Sequence, residues 1–499
     1  MSTTNTAGTT GTASTAGGAG AAARSTPEQR WGLALVSVAS LMVVLDMLVV
    51  ATALNTIRLD MGASLAQLEW TVNAFTLSFA ILLMPASALG DRFGRRRLLT
   101  GGIGLFTAAS AACALAPDSG LLITARAVQG AGAAMIMPQA LALLGVLFPP
   151  ERRARALGLF SGVTGLGTLG GPLLGGAVTQ GLEWQWIFWL NVPIGLALAP
   201  LVRLRIAESR GEAAKRFDPV GLALVATGTL GLVWGLVRGE AVGWSAAETL
   251  GALAGGALLT AAFIGWELRT AEPMLPMRYF RSRAFSAGNA SGFLLFGAMV
   301  GSAFFIAQFF QNTLGYGPLG AGLRMAPWTG TVFVLAAPSG RLLSRLGERP
   351  MLVGGLTLQG AGFAWLALLA DAPHPHYAPM LAPLVLSGCG TSLAMPAAQN
   401  AVIGAVPRGA IGAASGVFTT LRQLGGTFGL AVLAAVFTAS GGYASPGSFR
   451  AGFVPAIAVS AAFSLAAALA GAAVPGRREA SEKTSAAGVD SGRRRSTYR

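Results

Sequence analysis

The chain has 499 residues, of which 53% are hydrophobic and only 11% charged. Soluble proteins carry roughly 25% charged residues, so this composition points away from a soluble enzyme and toward a chain that lives mostly in a bilayer. The formal charge of +15 does not indicate nucleic acid, because the basic residues fall in short clusters between apolar runs.

Residues 1–30 are rich in Ser, Thr, Gly and Ala and carry no charge until Arg24. They are expected to form a disordered cytoplasmic tail, without the layout of a cleaved signal peptide. Apolar runs of about 20 residues then predict helices at 33–57, 70–90, 98–116, 120–147, 155–179 and 184–203, a six-helix bundle over 31–210. Two more, at 217–238 and 246–268, occupy an inserted segment over 211–283. Six further helices, at 286–310, 322–345, 350–370, 379–405, 411–438 and 450–474, fill a second bundle over 284–475. Residues 476–499 form a basic cytoplasmic tail. The predicted fold class is all-α and integral to the membrane, with fourteen spans arranged 6+2+6.

The charges support this count. Threading the spans alternately across the bilayer puts 29 of the 35 basic residues on the side of the N-terminus, leaving Arg58, Arg238, Arg324 and Arg450 opposite and Arg126 and Arg422 inside helices. Such an excess marks the cytoplasmic side, so both termini are expected there. Cys113 and Cys389 lie in apolar runs, and no disulfide framework is implied.

The chain also repeats itself. Pro85, Leu89, Arg92, Gly94 and Arg96 recur as Pro338, Leu342, Arg345, Gly347 and Arg349, an offset of 253. Gly130, Gly132, Met137 and Pro138 recur as Gly388, Gly390, Met395 and Pro396, and Gly158, Phe160, Gly167 and Gly171 as Gly416, Phe418, Gly425 and Gly429, both at an offset of 258. Helices 1–6 therefore correspond to helices 9–14. Two six-helix halves related along the membrane normal, with a site between them, is an alternating-access layout.

Three charges lie deep in predicted spans. Asp46 stands sixteen residues after Arg30 and twelve before Arg58, roughly 18 Å of helix on the shorter side. A carboxylate there is a candidate for taking up and releasing a proton; the alternative is a structural carboxylate permanently paired with an arginine. Arg126, on helix 4, is its candidate partner, or else a cation snorkelling to the outer surface. Arg422, on helix 13, serves either substrate or packing. With Asp46 ionised the three sum to +1, so a dication is expected to be a poorer substrate than a neutral, anionic or monocationic compound.

Between helices 2 and 3, Asp91, Arg92, Gly94, Arg95 and Arg96 put a carboxylate and guanidiniums at helix ends. They form either a latch that makes and breaks between states or a simple positive-inside anchor. Helix 5 carries Gly158, Gly162, Gly165, Gly167, Gly170, Gly171, Gly175 and Gly176 with Pro172. Glycine costs about 1 kcal/mol per residue in a helix, but in lipid small residues four apart let two backbones approach closely. Polar candidates for a central cavity are Asn73, Gln139, Asn289, Gln308, Gln311, Asn312, Gln399, Asn400 and Arg422. Trp70, Phe75, Phe79, Phe304, Phe305 and Trp328 are aromatic candidates for its walls. Aromatic and apolar walls with few hydrogen-bonding groups suit bulky amphipathic compounds.

Several of these stretches resemble motifs of the major facilitator superfamily. Gly158, Gly167, Gly171, Pro172, Gly175 and Gly176 match its helix 5 antiporter motif. Asp91, Arg92, Gly94, Arg95 and Arg96 match its cytoplasmic motif, with Ser87 where a glycine is usual. Arg126, Gln129, Gly130 and Gly132 match its helix 4 motif. Leu45, Asp46, Val49, Ala53 and Leu54 resemble the fourteen-helix drug:proton antiporter branch, with Leu48, Ala51 and Asn55 departing from it. Residues 184–195 and 308–327 also resemble that branch, so the likeness runs from about residue 30 to 475. It implies a proton-coupling role for Asp46 and Arg126. It further implies export of drugs, antibiotics or toxic metabolites across the cytoplasmic membrane in exchange for protons, with no cofactor.

The competing functions are proton-coupled uptake of a small organic solute on the same fold, and a membrane sensor without transport. An ATP-driven pump is disfavoured, because neither Lys215 nor Lys483 lies in a phosphate-cradling Gly-rich loop. His374 and His376 share a loop with no thiolate nearby, so no metal site is expected, and no nucleophile–base arrangement suggests an enzyme.

Overall fold

Inside lipid a helix satisfies its own backbone N–H and C=O groups, and helices account for the architecture. The computed structural model describes residues 26–476 apart from 64, 182, 212–217, 271–272 and 274. Some helical side chains, Pro172 and that of Gly176's position among them, also lie outside the described residues, as do the two tails beyond 26–476. The described residues form fifteen α-helices and two short 3-10 turns, with no strand. The first half comprises α1 (Pro27–Met61), α2 (Leu65–Phe93), α3 (Arg95–Ala114), α4 (Ser119–Leu147), α5 (Pro150–Gly181), the single turn α6 (Trp186–Trp189) and α7 (Asn191–Arg205). A hairpin follows, α8 (Pro219–Val242) and α9 (Ala247–Arg269). The second half comprises α10 (Arg283–Asn312), α11 (Pro318–Leu346), α12 (Glu348–Ala370), α13 (Tyr377–Gly404), α14 (Ile411–Ser440) and α15 (Pro446–Ala472).

Twelve stretches among the described residues are long and apolar enough to cross a membrane, counting α6 and α7 as one. Of the fourteen spans expected, α5 and α11 are long helices outside this set. In both helices the described side chains are interrupted, the longest unbroken runs being 152–167 and 320–336, too short to be counted. The first helix begins at Pro27, so Pro27–Arg30 belong to it and not to a disordered tail. Helix starts are marked by local chemistry: Asp118, Asp218 and Ser445 accept from the backbone N–H groups of Leu121, Gly221 and Ser448, satisfying donors that no helical carbonyl reaches.

The sequence repeat is also a backbone repeat. Gly94 and Gly347 turn α2 into α3 and α11 into α12 with φ of 115° and 87°, a region costly for any residue with a Cβ.

Among the described residues the two halves share an apolar core at one end. At the end bearing the basic connections, a single apolar core joins them, with Leu143, Leu144, Phe148, Leu157 and Phe160 packed together with Ile403, Ile411, Val417 and Phe418. At the opposite end each half keeps its own core: Val49, Val50, Ile57, Leu122 and Phe188 in the first, Phe305, Phe309, Phe363, Phe437 and Phe453 in the second. The α8–α9 hairpin rests on α2 and α14, with the Trp70 and Trp234 rings tilted at 43° to one another, 5.4 Å between ring centres. Among the described residues the α5–α11 flank has no such cover.

Candidate functional site

Asp46 is 3% exposed and Arg126 1%, and their helices pack so that the two meet. Arg126 Nη1 donates to Asp46 Oδ2 at 2.5 Å. Asp46 Oδ1 accepts from Gln129 Nε2 at 2.8 Å and from Asn191 Nδ2 at 2.9 Å. The carboxylate thus has both oxygens occupied by donors from α4 and α7. Ser110 on α3 closes the ring by accepting from Gln129 at 2.7 Å and Asn191 at 3.4 Å. The guanidinium also donates to Gln129 Oε1 at 2.6 Å and to the Thr71 carbonyl at 3.2 Å, and lies 4.3 Å above the Phe75 ring. A buried pair persists only when its spare donors and acceptors are matched, and here α2, α4 and α7 supply the partners. Arg126 does not snorkel.

Asn191 and Ser110 were not singled out from the sequence. Asn191 is the first residue of α7, just beyond the break at Leu190; that break aims the side chain inward. Removing it with Asn191→Leu leaves Oδ1 one donor instead of two. A hydrogen bond to a charged group contributes about 1.5–3 kcal/mol, so initial export rates at matched expression should fall tenfold or more.

The α2–α3 connection has equally specific partners. Asp91 accepts from Arg95 Nε at 2.8 Å and from the backbone N–H of Ala413, in the first turn of α14 in the other half. A helix start favours a negative charge, so this carboxylate bridges the two halves at the basic end. Ser87 Oγ adds a second bridge, donating to the Gly412 carbonyl at 2.6 Å. Gly94 supplies the turn and Arg95 is buried with Asp91, whereas Arg92 lies beside the Phe93 ring. Arg96 donates through Nη1 to the Arg203 and Ile206 carbonyls.

Glu208, in the segment after α7, caps α3 by accepting from the backbone of Arg96 at 3.0 Å and Arg97 at 3.3 Å. Nothing in its sequence context marked it. Glu208→Ala should cost about 1 kcal/mol, read as a lower unfolding temperature, with Glu208→Gln costing less because it keeps one acceptor.

The α5 glycines have two jobs on two faces. A Cβ at Gly167 would meet Val44 at 2.8 Å and one at Gly171 would meet Leu48 at 2.5 Å, so these positions pack on the helix that carries Asp46. Nearer the basic end, a Cβ at Gly158 would meet the Ala336 carbonyl at 2.7 Å and Gly340 Cα at 3.0 Å, so here α5 crosses α11 backbone to backbone. Gly175 is buried. Pro172 and Gly176 fall outside the described side chains.

The family profile described as Major Facilitator Superfamily matches residues 36–430 and 289–494. The chain belongs to the Major Facilitator Superfamily. It is 34% identical over 426 residues to the tetracenomycin C resistance and export protein of Streptomyces glaucescens, covering 85% of this chain and 79% of that one. It is 34% identical over 488 residues to a puromycin resistance protein of Streptomyces alboniger, covering 94% and 96%. A cephamycin export protein of Amycolatopsis lactamdurans is 36% identical over 440 residues, covering 87% and 90%. Among solved structures, a proton:xylose symporter of the superfamily superposes with a TM-score of 0.66 over 89% of this chain and 95% of that one at 14% identity. A human organic anion transporter gives 0.63 over 89% and 100%, also at 14% identity. These two likenesses bear on fold alone. The chain is a multi-pass membrane transporter of the drug-efflux type, not an enzyme.

In this superfamily member the expected cavity residues separate. Gln139 is 0% exposed; it donates to the Ala86 carbonyl at 2.9 Å and braces α4 against α2. Gln399 is equally buried, with Ser161 at 3.4 Å, and Asn400 is clamped to Glu348 at 2.6 Å at the start of α12. In this conformation the helices turn Gln139 and Gln399 into packed protein, while Asn400 stays half-buried. Asn289 bonds back to the Phe285 carbonyl of its own helix. Gln308, Gln311 and Asn312 occupy the last turn of α10, at the end away from the basic loops, and bond within that helix. Asn73 and Arg422 remain half-buried. Among the described residues no cluster of metal-ligating side chains occurs.

Proposed function

We propose that this transporter is a proton-coupled antiporter that exports amphipathic small molecules across the cytoplasmic membrane by alternating access. The observation that carries the proposal is the Asp46 carboxylate, buried and held by Arg126, Gln129 and Asn191, on a helix whose other face packs on α5. Export, rather than uptake by symport or sensing, is favoured by relatives named for resistance to and export of antibiotics.

With the basic end closed and taken as cytoplasmic, the conformation faces outward. A proton arriving from outside neutralises Asp46. The acid no longer attracts Arg126, which keeps Gln129, the Thr71 carbonyl and the Phe75 ring as partners. Its hold on α4 and α7 loosens, and α1 becomes free to shift. Because Val44, Leu45 and Leu48 pack against Gly167, Gly170 and Gly171, that shift reaches α5 and so its crossing with α11. The bridges from Asp91 and Ser87 to α14 break, and the basic end opens. There Asp46 releases its proton and substrate binds. Re-forming the pair returns the transporter to the outward state, where substrate leaves. One inward proton contributes about 2.3 kcal/mol per 100 mV and about 1.4 kcal/mol per pH unit, which supports a gradient on the order of several hundredfold for a neutral compound.

Reconstituted vesicles test this. An imposed inward proton gradient should drive uphill export of a fluorescent amphipath, and collapsing both the pH difference and the voltage should stop it. Uphill movement at full rate without either gradient, or any other ion gradient, rules the proposal out.

A further inference from the structure

We propose that Arg422 is an anion subsite in the transport path, taking the carboxylate, phenolate or enolate of an amphipathic substrate whose apolar body lies beside Phe296. This deepens the export reading above and rests on it.

Arg422 stands eleven residues after the start of α14 and eighteen before its end, roughly 17 Å of helix from the basic side. At that depth a cation needs a partner or a watery cavity. Ion pairs hold Arg95, Arg96, Arg97, Arg126 and Arg238 among others, and none of these reaches Arg422. Its Nε is buried without a hydrogen-bond partner, and the guanidinium lies 4.5 Å above the Phe296 ring. A ring face offsets only part of the cost of removing a cation from water. Asp46 and Arg126 cancel one another, so Arg422 is the deep charge left uncompensated.

Its direction on the helix is inward. Gly425, Gly426 and Gly429 face α10, Gly412 and Gly416 face α2, and exposed Phe428 marks the outer side of α14. At 3.6 residues per turn Arg422 lies about 60° from Gly425, about 80° from Gly412 and about 120° from Phe428. That places it over α10, beside Phe296, on the edge of that stripe nearer α2, which belongs to the first half.

The repeat separates function from scaffold. The offset of 258 that carries Gly158 to Gly416 and Gly167 to Gly425 carries Thr164 to Arg422. Thr164 bonds back to the Phe160 carbonyl of its own helix. Packing of this helix type is therefore met by a short hydroxyl side chain in one half, and the other half has a guanidinium that its own fold leaves unmatched. A bidentate donor fork beside an aromatic face is suited to a planar oxyanion attached to a ring system.

A fluorescent amphipath carrying one carboxylate, and its methyl ester, provide a matched pair for the full-length transporter in lipid nanodiscs. By fluorescence anisotropy the wild type should bind the acid at least tenfold more tightly than the ester. Arg422→Gln should weaken the acid at least tenfold and the ester by less than threefold, while Arg422→Lys should restore part of the preference for the acid. Equal weakening of both probes in Arg422→Gln, or a wild type that prefers the ester, overturns the proposal. Gradient-driven export of the ester in vesicles separates the two claims. If the ester is exported and the acid is not preferred, the subsite fails and export stands. Preference for the acid through Arg422 without gradient-driven export of either probe leaves the subsite standing and removes the export reading.

Discussion

Asp46→Asn should reduce proton-driven export to the background of empty vesicles. The substitution keeps the shape of the side chain and removes its charge, so it resembles the protonated acid permanently and cannot be reset. It also presents an amide N–H₂ to the amide donors of Gln129 and Asn191, and leaves the Arg126 guanidinium, 1% exposed, without a counter-charge. Breaking one side of a buried ion pair costs about 3–5 kcal/mol. Folding is therefore checked by the unfolding temperature and by substrate binding, which should stay within about threefold. Asp46→Glu keeps a carboxylate one methylene further out and should retain measurable, slower coupling, separating loss of charge from loss of shape. The decisive measurement is simultaneous: substrate leaving and protons entering vesicles that carry an internal pH dye. Uphill export at the wild-type rate in Asp46→Asn removes this residue from coupling.

Gly340→Val should be nearly as severe for a different reason. A Cβ at Gly340 would lie 2.8 Å from Arg155 Cα and 3.0 Å from the Ala154 carbonyl. Both are main-chain atoms of α5, which cannot swing aside as a long side chain could. The branched side chain would hold α5 and α11 apart, the basic end could not close, and export should fall below about a twentieth of wild type. Because each half keeps a core of its own at the far end, the unfolding temperature should move by only a few degrees. The trapped state has a direct readout. Ser87 lies at the closed end, bonded to the Gly412 carbonyl. In a background lacking Cys113 and Cys389, Ser87→Cys should react rapidly with an impermeant maleimide from the basic side in the Gly340→Val protein and slowly without that change. Gly340→Ala should fall between. Normal transport by Gly340→Val would show that this crossing does not have to close.

The amino-acid sequence determined a good deal by itself. Apolar runs, clustered arginines and three repeated motifs are properties read along the chain, because lipid imposes its demands on each segment separately: every backbone group bonded within its own helix, and every charge kept near a surface. Asp46, Arg126 and Arg422 stood out for the same reason, as local violations of that demand. Tertiary structure alone decided which polar side chains meet. Helices such as α4 and α13 are apolar on nearly every side, so no stripe of polar residues in the sequence says which face turns inward; rotation and register come from packing against neighbours. That is why Gln139 and Gln399 were read as cavity residues and instead brace the core, and why Asn191, Ser110 and Glu208 gave no signal. A hydrogen bond between α1 and α7 joins residues 145 positions apart, and only the close fit of one helix surface on another brings such a pair within reach.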